Sequence, residues 1–333
     1  MKNFFKLSLL FVAAIGFAQE DEKPKLSISG SVDAYYQTYL TAPDNVGAGF
    51  GTAFAGQSGF ALGMGNLIAS YEGEKAGAVL DLVTGPRGAG ATFNSDIVDG
   101  IVNQAYVYWN VSEGTTLTFG RFNTFLGYEV ISPAANFNYS TSYLFSSGPF
   151  SHMGIKADFA LSEDFSLMLA ITNPWDVNDT SMTGEYALGA QLGYKGQFLN
   201  LYYDSGSNDG LGFEVDYTGG FDLSDTFFMG INAAYNDNDG AGFYGAALYP
   251  QVATSDSFSV GLRGEYFGYH AEDLDDLPSV FAATLTGSYT VDNLIIKPEI
   301  RLDSWSNNEP FVDNDGMATD NLAAFTLAAI YSF

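Results

Sequence analysis

Charged residues spaced two apart carry the chemistry this chain offers. Lys156 and Asp158 form one such pair and Arg263 and Glu265 another, while Lys297, Glu299, Arg301 and Asp303 extend the pattern into a ladder of alternating sign. In an extended strand, residues i and i+2 share a face and lie about 6.6 Å apart, so each set stands side by side on one surface. Apolar residues fill the other parity: Met153, Ile155, Ala157 and Phe159 around the first pair, Ile296, Ile300 and Leu302 through the ladder. If the apolar face meets lipid, the charges must face inward, because a Lys or Arg at the bilayer midplane costs about 2–4 kcal/mol. An inward ladder can order water and sort solutes by charge. Alternatively, its members neutralise one another and brace the wall.

Other chemistries find little support. The chain has two histidines, His152 and His270. His270 falls near Asp273, Asp275 and Asp276, ingredients of a membrane-protease-like site, but no Ser or second-His arrangement accompanies it. The expectation is therefore not an enzyme. Asn236-Asp237-Asn238-Asp239-Gly240 superficially matches an EF-hand loop, yet Tyr235 holds the first ligand position and no closing Glu follows. The stretches 269–278 and 304–320 carry Glu272, Asp273, Asp275, Asp276, Glu309, Asp313, Asp315 and Asp320 without a Lys or Arg. They form a solvated acidic rim that attracts cations. Asp273, Asp275, Asp276, Asp313 and Asp315 are the candidates for loop-bound Ca²⁺ or Mg²⁺ bridging to anionic lipid; no other cofactor is expected.

The elements that must position these charges are strands. Period-2 alternation begins at Leu26 and recurs in Phe165 to Ile171, Tyr186 to Tyr194, Leu211 to Tyr217, Phe258 to Tyr266 and Ala324 to Phe333. Short connections such as 73–75, 112–114, 162–164, 195–197, 223–225 and 290–293 alternate with longer ones at 41–60, 85–99, 126–150, 173–183, 269–278 and 304–320. Short turns on one side and long loops on the other predict an all-β transmembrane antiparallel barrel of about 16 strands (14–16). The stretches 41–66 and 236–257 read poorly. Tyr71, Trp109, Phe165, Tyr194, Phe227, Phe258, Tyr289 and Phe333 cluster near the short turns, as an aromatic girdle would. The last strand ends on Phe333, which resembles the signal read by the barrel-assembly machinery. A soluble β-sandwich also alternates, but the loop asymmetry, the terminal Phe and the N-terminus argue against it.

That N-terminus has Lys2 and Lys6, an apolar run from Leu7 to Ile15, and Gly16-Phe17-Ala18 before Gln19. This is the pattern of a secretory signal peptide, residues 1–18, followed by a flexible polar segment, 19–25, and the barrel, 26–333. No later apolar run is long enough for a transmembrane helix. Gly, Tyr and Phe are abundant, and Cys is absent. The net charge of −27 excludes nucleic acid as a partner.

One stretch departs from the pattern. Residues 126–150 carry a single charge, Glu129, among Phe, Tyr, Asn and Ser, and are too long for an ordinary connection. The expectation is a loop folded toward the lumen, with Tyr139 and Tyr143 at the constriction and its aromatic rings either stacking on sugars or packing on the wall. Arg121 shares the parity of Leu117 and Phe119; either a bulge at Gly120 brings it into the lumen near Glu129, the preferred reading, or the strand ends and Arg121 lies at the rim.

Gly120-Arg121-Phe122, Gly127-Tyr128-Glu129, Asn136-Phe137-Asn138-Tyr139-Ser140, Gly148-Pro149-Phe150 and His152-x-Gly154 together resemble the OmpL-like β-barrel porins of Gram-negative outer membranes, and SISGSVDAYYQ is similar to their first strand. The resemblance implies an outer-membrane channel; the expectation is passive diffusion of small hydrophilic solutes through its water-filled lumen, in contact with lipid and lipopolysaccharide. It specifies no solute and leaves a homo-oligomer open. The acidic mouth favours neutral and cationic solutes. The competing class is a non-conducting barrel, an adhesin, an anchor or a surface enzyme.

Overall fold

The computed structural model describes residues 25–44, 49–92, 100–178, 184–205 and 210–333. The expected signal peptide lies outside these residues, and the polar segment lies outside them up to Pro24; the first strand already begins at Lys25. In chain order the barrel strands are β1 (Lys25–Tyr39), β2 (Gly59–Glu72), β3 (Ala76–Thr84), β4 (Val102–Ser112), β5 (Thr115–Asn123), β6 (Ser151–Ala160), β7 (Phe165–Thr172) and β8 (Ala187–Tyr194). They continue with β9 (Gln197–Tyr203), β10 (Phe213–Asp222), β11 (Phe227–Asp237), β12 (Ala241–Ala253), β13 (Phe258–Ala271), β14 (Ser279–Val291), β15 (Leu294–Ser306) and β18 (Asn321–Ser332). A small hairpin, β16 (Phe311–Val312) and β17 (Ala318–Thr319), sits in the last long loop, and two short helices, α1 (Gly85–Ala91) and α2 (Tyr143–Ser147), lie in others. Every barrel strand pairs antiparallel with its neighbours, and β18 pairs with β1 to close a ring of 16 strands.

Burial decides between barrel and sandwich. Leu188, Leu192, Leu302 and Tyr331 are exposed, while Asn200, Asp216, Glu265 and Arg301 on the opposite parity are buried. A soluble sandwich does the reverse, so this outer face is built for lipid. Tyr71, Trp109, Phe165, Tyr194, Tyr289 and Phe333 are exposed near the short-turn end, where their amphipathic rings suit the interface. The seam is tied by reciprocal bonds, Gly30 N–H to Phe333 O and Phe333 N–H to Gly30 O, both 3.0 Å.

The two poorly read stretches have local causes. Between β1 and β2 the register shifts at Val32/Ala34, so Gly63 and Met64 oppose the single residue Asp33. Asp33 Oδ1 accepts the Met64 N–H at 2.8 Å, which supports the bulge and buries Met64. Between β11 and β12 the long-loop side has a tight turn instead of a loop. Asp239 (φ 54°) and Gly240 (φ 83°) both adopt left-handed backbone, the requirement of a type I′ hairpin turn. The acidic run that superficially matches a calcium loop is this turn.

A Cβ at Gly30 would collide with the Asn66 carbonyl oxygen and the Phe333 ring. Gly30→Val is expected to destabilise the seam by about 1–3 kcal/mol. Heat-modified gel mobility after refolding checks this: the variant should lose its compact band at a lower temperature than the parent.

Candidate functional site

The segment between β5 and β6 turns into the barrel and crosses it. It starts at Thr124, whose Oγ1 lies 2.9 Å from His152 Nε2, and returns at Phe150 and Ser151, whose N–H groups donate to Asp176 Oδ1 at 2.9 Å each. With one carboxylate in 126–150, the segment can be buried at small Born cost, but its backbone N–H and C=O groups still need partners away from water. The wall supplies them with acidic and basic side chains. Glu299 accepts the N–H groups of Tyr139 (2.7 Å) and Ser140 (3.1 Å). Glu265 accepts those of Tyr143 (3.0 Å) and Leu144 (2.8 Å). Arg263 donates to the carbonyls of Ser140 (2.6 Å) and Thr141 (3.2 Å), and Arg301 donates to Thr141 O at 2.9 Å. Lys297 donates to Pro133 O at 2.9 Å and to Asn136 O.

Charge pairing completes the set. Arg263 and Glu129 form an ion pair at 2.6 Å, with side chains 0% and 3% exposed. Glu129 also caps the start of α2, accepting the Ser142 N–H and hydroxyl at 2.6 Å. Arg301 is held by Asp303 through Nε and Nη2, both at 2.8 Å. The Tyr139 hydroxyl donates to Asp33 Oδ2 (2.5 Å) and the Tyr143 hydroxyl to Asp303 Oδ2 (2.7 Å). Burial raises both phenols above their usual range, so they remain protonated donors.

The segment also touches the remaining wall. Gly127 N–H donates to Asp216 on β10, Tyr128 stacks on Tyr249 of β12, and Ile131 packs with Met64 and Val83. Tyr143 and Leu144 join Phe243, Phe267, Trp305 and, from two other long loops, Phe50 and Phe311 in an apolar cluster inside the barrel.

Of the twelve residues that the sequence singles out, ten are buried: Arg121, Glu129, Tyr139, Tyr143, Arg263, Glu265, Lys297, Glu299, Arg301 and Asp303. Lys156 and Asp158 pair at 2.7 Å on the more open part of the wall, their side chains 25% and 41% exposed. Arg263 and Glu265 do not pair directly; each turns to the lumen segment. The bulge expected at Gly120 is absent. The β5 ladders to β4 and β6 run unshifted through Gly120 and Arg121. Arg121 therefore keeps the parity of Phe119 and lies beside Asp176, while Glu129 meets Arg263. His270 lies within β13, bonded to Asn236 O at 2.7 Å and stacked on Tyr235, near Asp237. Among the described residues, no group of three or more His, Asp or Glu side chains is assembled to hold a metal ion. Asp313 instead accepts the N–H groups of Asp315 and Met317 within its own turn.

Three residues escape the sequence reading. Arg87, buried on α1, donates to Ile131 O (3.2 Å) and Tyr139 O (2.8 Å). Asp33 and Asp176 hold the bulge and the returning stem. Arg87 lies in a Gly-rich loop without periodicity; the other two have partners far away in sequence. A lone Arg among the Gly and Ala residues of 85–91 is the one signal on offer.

An inverted, lipid-facing barrel whose interior holds charged walls and an infolded third long loop is the architecture of an outer-membrane porin. The family model for beta-barrel porin-2, OmpL-like, matches residues 25–333, and the chain belongs to that family. The fold is similar to the outer membrane channel DcaP of Acinetobacter baumannii, with TM-score 0.57 and 15% identity over 93% of this chain and 97% of that one. It is also similar to a variant of the Rh. blastica porin (TM-score 0.55, 15% identity, 93% and 100% covered) and to OmpT of Vibrio cholerae (0.51, 10%, 94% and 99%). No curated protein sequence matches the chain. The protein is an outer-membrane channel, not an enzyme.

Removing one partner of the buried Arg263–Glu129 pair strands the other in a dry site, at about 3–5 kcal/mol. Arg263→Met should therefore cost more than the double variant Arg263→Met/Glu129→Gln, as read by thermal unfolding in detergent. At Asp176, burial outweighs its two N–H bonds and the Arg121 charge and pushes the carboxyl up to about 7 from 3.8. The folded state thus binds the proton more tightly than the unfolded chain. The contribution is fully present below pH 3.8 and is lost as pH rises through 7. Asp176→Asn should flatten that stretch of the stability curve.

Proposed function

We propose that the channel passes small hydrophilic solutes passively, down their gradients, and favours neutral and cationic ones. The observation that carries this reading is the acidic outer rim. Glu272, Asp273, Asp275 and Asp276 after β13, and Glu309 and Asp315 in the loop before β18, are exposed on a chain of net charge −27. A mouth of one sign concentrates counter-ions and repels anions before any contact with the wall. The wall itself is mixed in sign, so it adds little net bias. Passage requires no energy input on this reading, because the gradient supplies the work. The same acidic loops face lipopolysaccharide, and the strand ending at Phe333 is the handle for the barrel-assembly machinery.

Planar-bilayer recording in a salt gradient tests the preference. Reversal potentials should report cation selectivity. Asp273→Asn, Asp275→Asn, Asp276→Asn and Asp315→Asn combined should lower it at low salt. The difference should vanish near 1 M salt, where the Debye length falls to about 3 Å. Anion selectivity of the parent would refute the preference.

A further inference from the structure

The wall that holds the lumen segment recognises backbone, and its pattern is that of a peptide receptor. Glu299 and Glu265 each take two consecutive N–H groups, and Arg263 takes two consecutive carbonyls. Arg301 shares the Thr141 carbonyl, and Lys297 and Arg87 take further carbonyls from the same segment. None of these bonds depends on which side chains the segment carries. Charged groups bind amides about twice as strongly as neutral ones do, and a buried ionised group left without a partner is costly. When the segment leaves, the wall therefore demands replacements of the same chemistry: amide N–H groups for the carboxylates, carbonyl or carboxylate oxygens for the guanidinium and ammonium groups.

We propose that the inner wall of β13 and β15, with Arg87, is a binding site for the backbone of short peptides, and that residues 131–144 occupy it as an internal ligand that closes the lumen. The inference rests on the channel reading and names its solute class and its gate. Because the segment is tethered, its effective concentration at the wall is high, and a free peptide competes only for the fraction of time the segment is away. Sugars offer hydroxyls but no row of amides, so they leave the wall's charges poorly matched. Residues 131–144 carry no charge, and Glu129 stands just before them, so a membrane potential acts on the segment weakly. Displacement by solute is the stronger lever.

Proteoliposome uptake of triglycine and of glucose, which have nearly equal mass, tests this. Triglycine should enter about tenfold faster, the equivalent of about 1.4 kcal/mol. The chain has no cysteine, so a tether can be placed cleanly. Asn138 Nδ2 donates to Thr286 Oγ1 at 2.7 Å, linking the segment to β14. In Asn138→Cys/Thr286→Cys, bridging with a short bis-methanethiosulfonate should cut triglycine uptake by about tenfold or more, and dithiothreitol should restore it. Ser140→Cys/Thr284→Cys, whose parent side chains both bond Arg263, serves if the first pair folds poorly as judged by heat-modified mobility. Equal uptake of the two solutes would overturn the peptide site while leaving the channel intact. Uptake unchanged by the tether would overturn the gate. Uptake of neither solute through a folded, inserted, reduced barrel would overturn the channel reading and the proposal with it.

Discussion

Buried amides and buried charges satisfy one another inside this barrel, and the rest of the interior depends on that exchange. A stretch of some twenty residues crosses the lumen with few regular hydrogen bonds of its own. Left alone, its N–H and C=O groups would cost about 1–3 kcal/mol each. Left alone, Arg263, Glu265, Lys297, Glu299 and Arg301 would cost more. Placed together, Glu299 and Glu265 take the N–H groups, Arg263, Arg301 and Lys297 take the carbonyls, and both debts disappear. Glu129, the one carboxylate in 126–150, pairs with the Arg263 guanidinium.

The exterior obeys the opposite requirement. Lipid offers no hydrogen bonds, so every strand must close its ladder and every outward side chain must be apolar or interfacial. Leu188, Leu192, Leu302 and Tyr331 meet that condition, and the Gly30–Phe333 bonds remove the last edge. With lipid outside, polar residues are forced inward, and the chain fills much of the resulting interior itself. Phe50, Phe311, Tyr143 and Trp305 build an apolar cluster there that resembles the core of a soluble protein. The lumen is therefore wet around Lys156 and Asp158 and tightly packed where the segment crosses.

What could be read without coordinates followed from period. Alternation fixed which parity faces lipid on β6, β7, β8, β13 and β15, because a strand has only two faces and lipid tolerates one kind of residue. The ladder at 297–303, the short-turn side and the fold class follow from the same rule. The near-lack of charge in 126–150 marked that segment for burial. The reading faltered where a local device broke the period: the bulge opposite Asp33 and the type I′ turn at Asp239-Gly240.

Pairing across long distances was beyond the sequence. Arg263 has Glu265 two residues away, yet its ion-pair partner is Glu129, 134 positions earlier. Arg121 has Glu129 nearby in the chain, yet it lies beside Asp176 because β5 runs on without a bulge. Arg87 gave no periodic signal, and Asp33 showed its inward parity but not its partners, Met64 and Tyr139. Sequence by itself determined the barrel, its lipid face and the presence of charges within, since these are set by nearest-neighbour alternation. Only the closed ring decided which charge meets which amide, because closure brings β1, β10, β13 and β15 to bear on one segment that none of them adjoins in sequence.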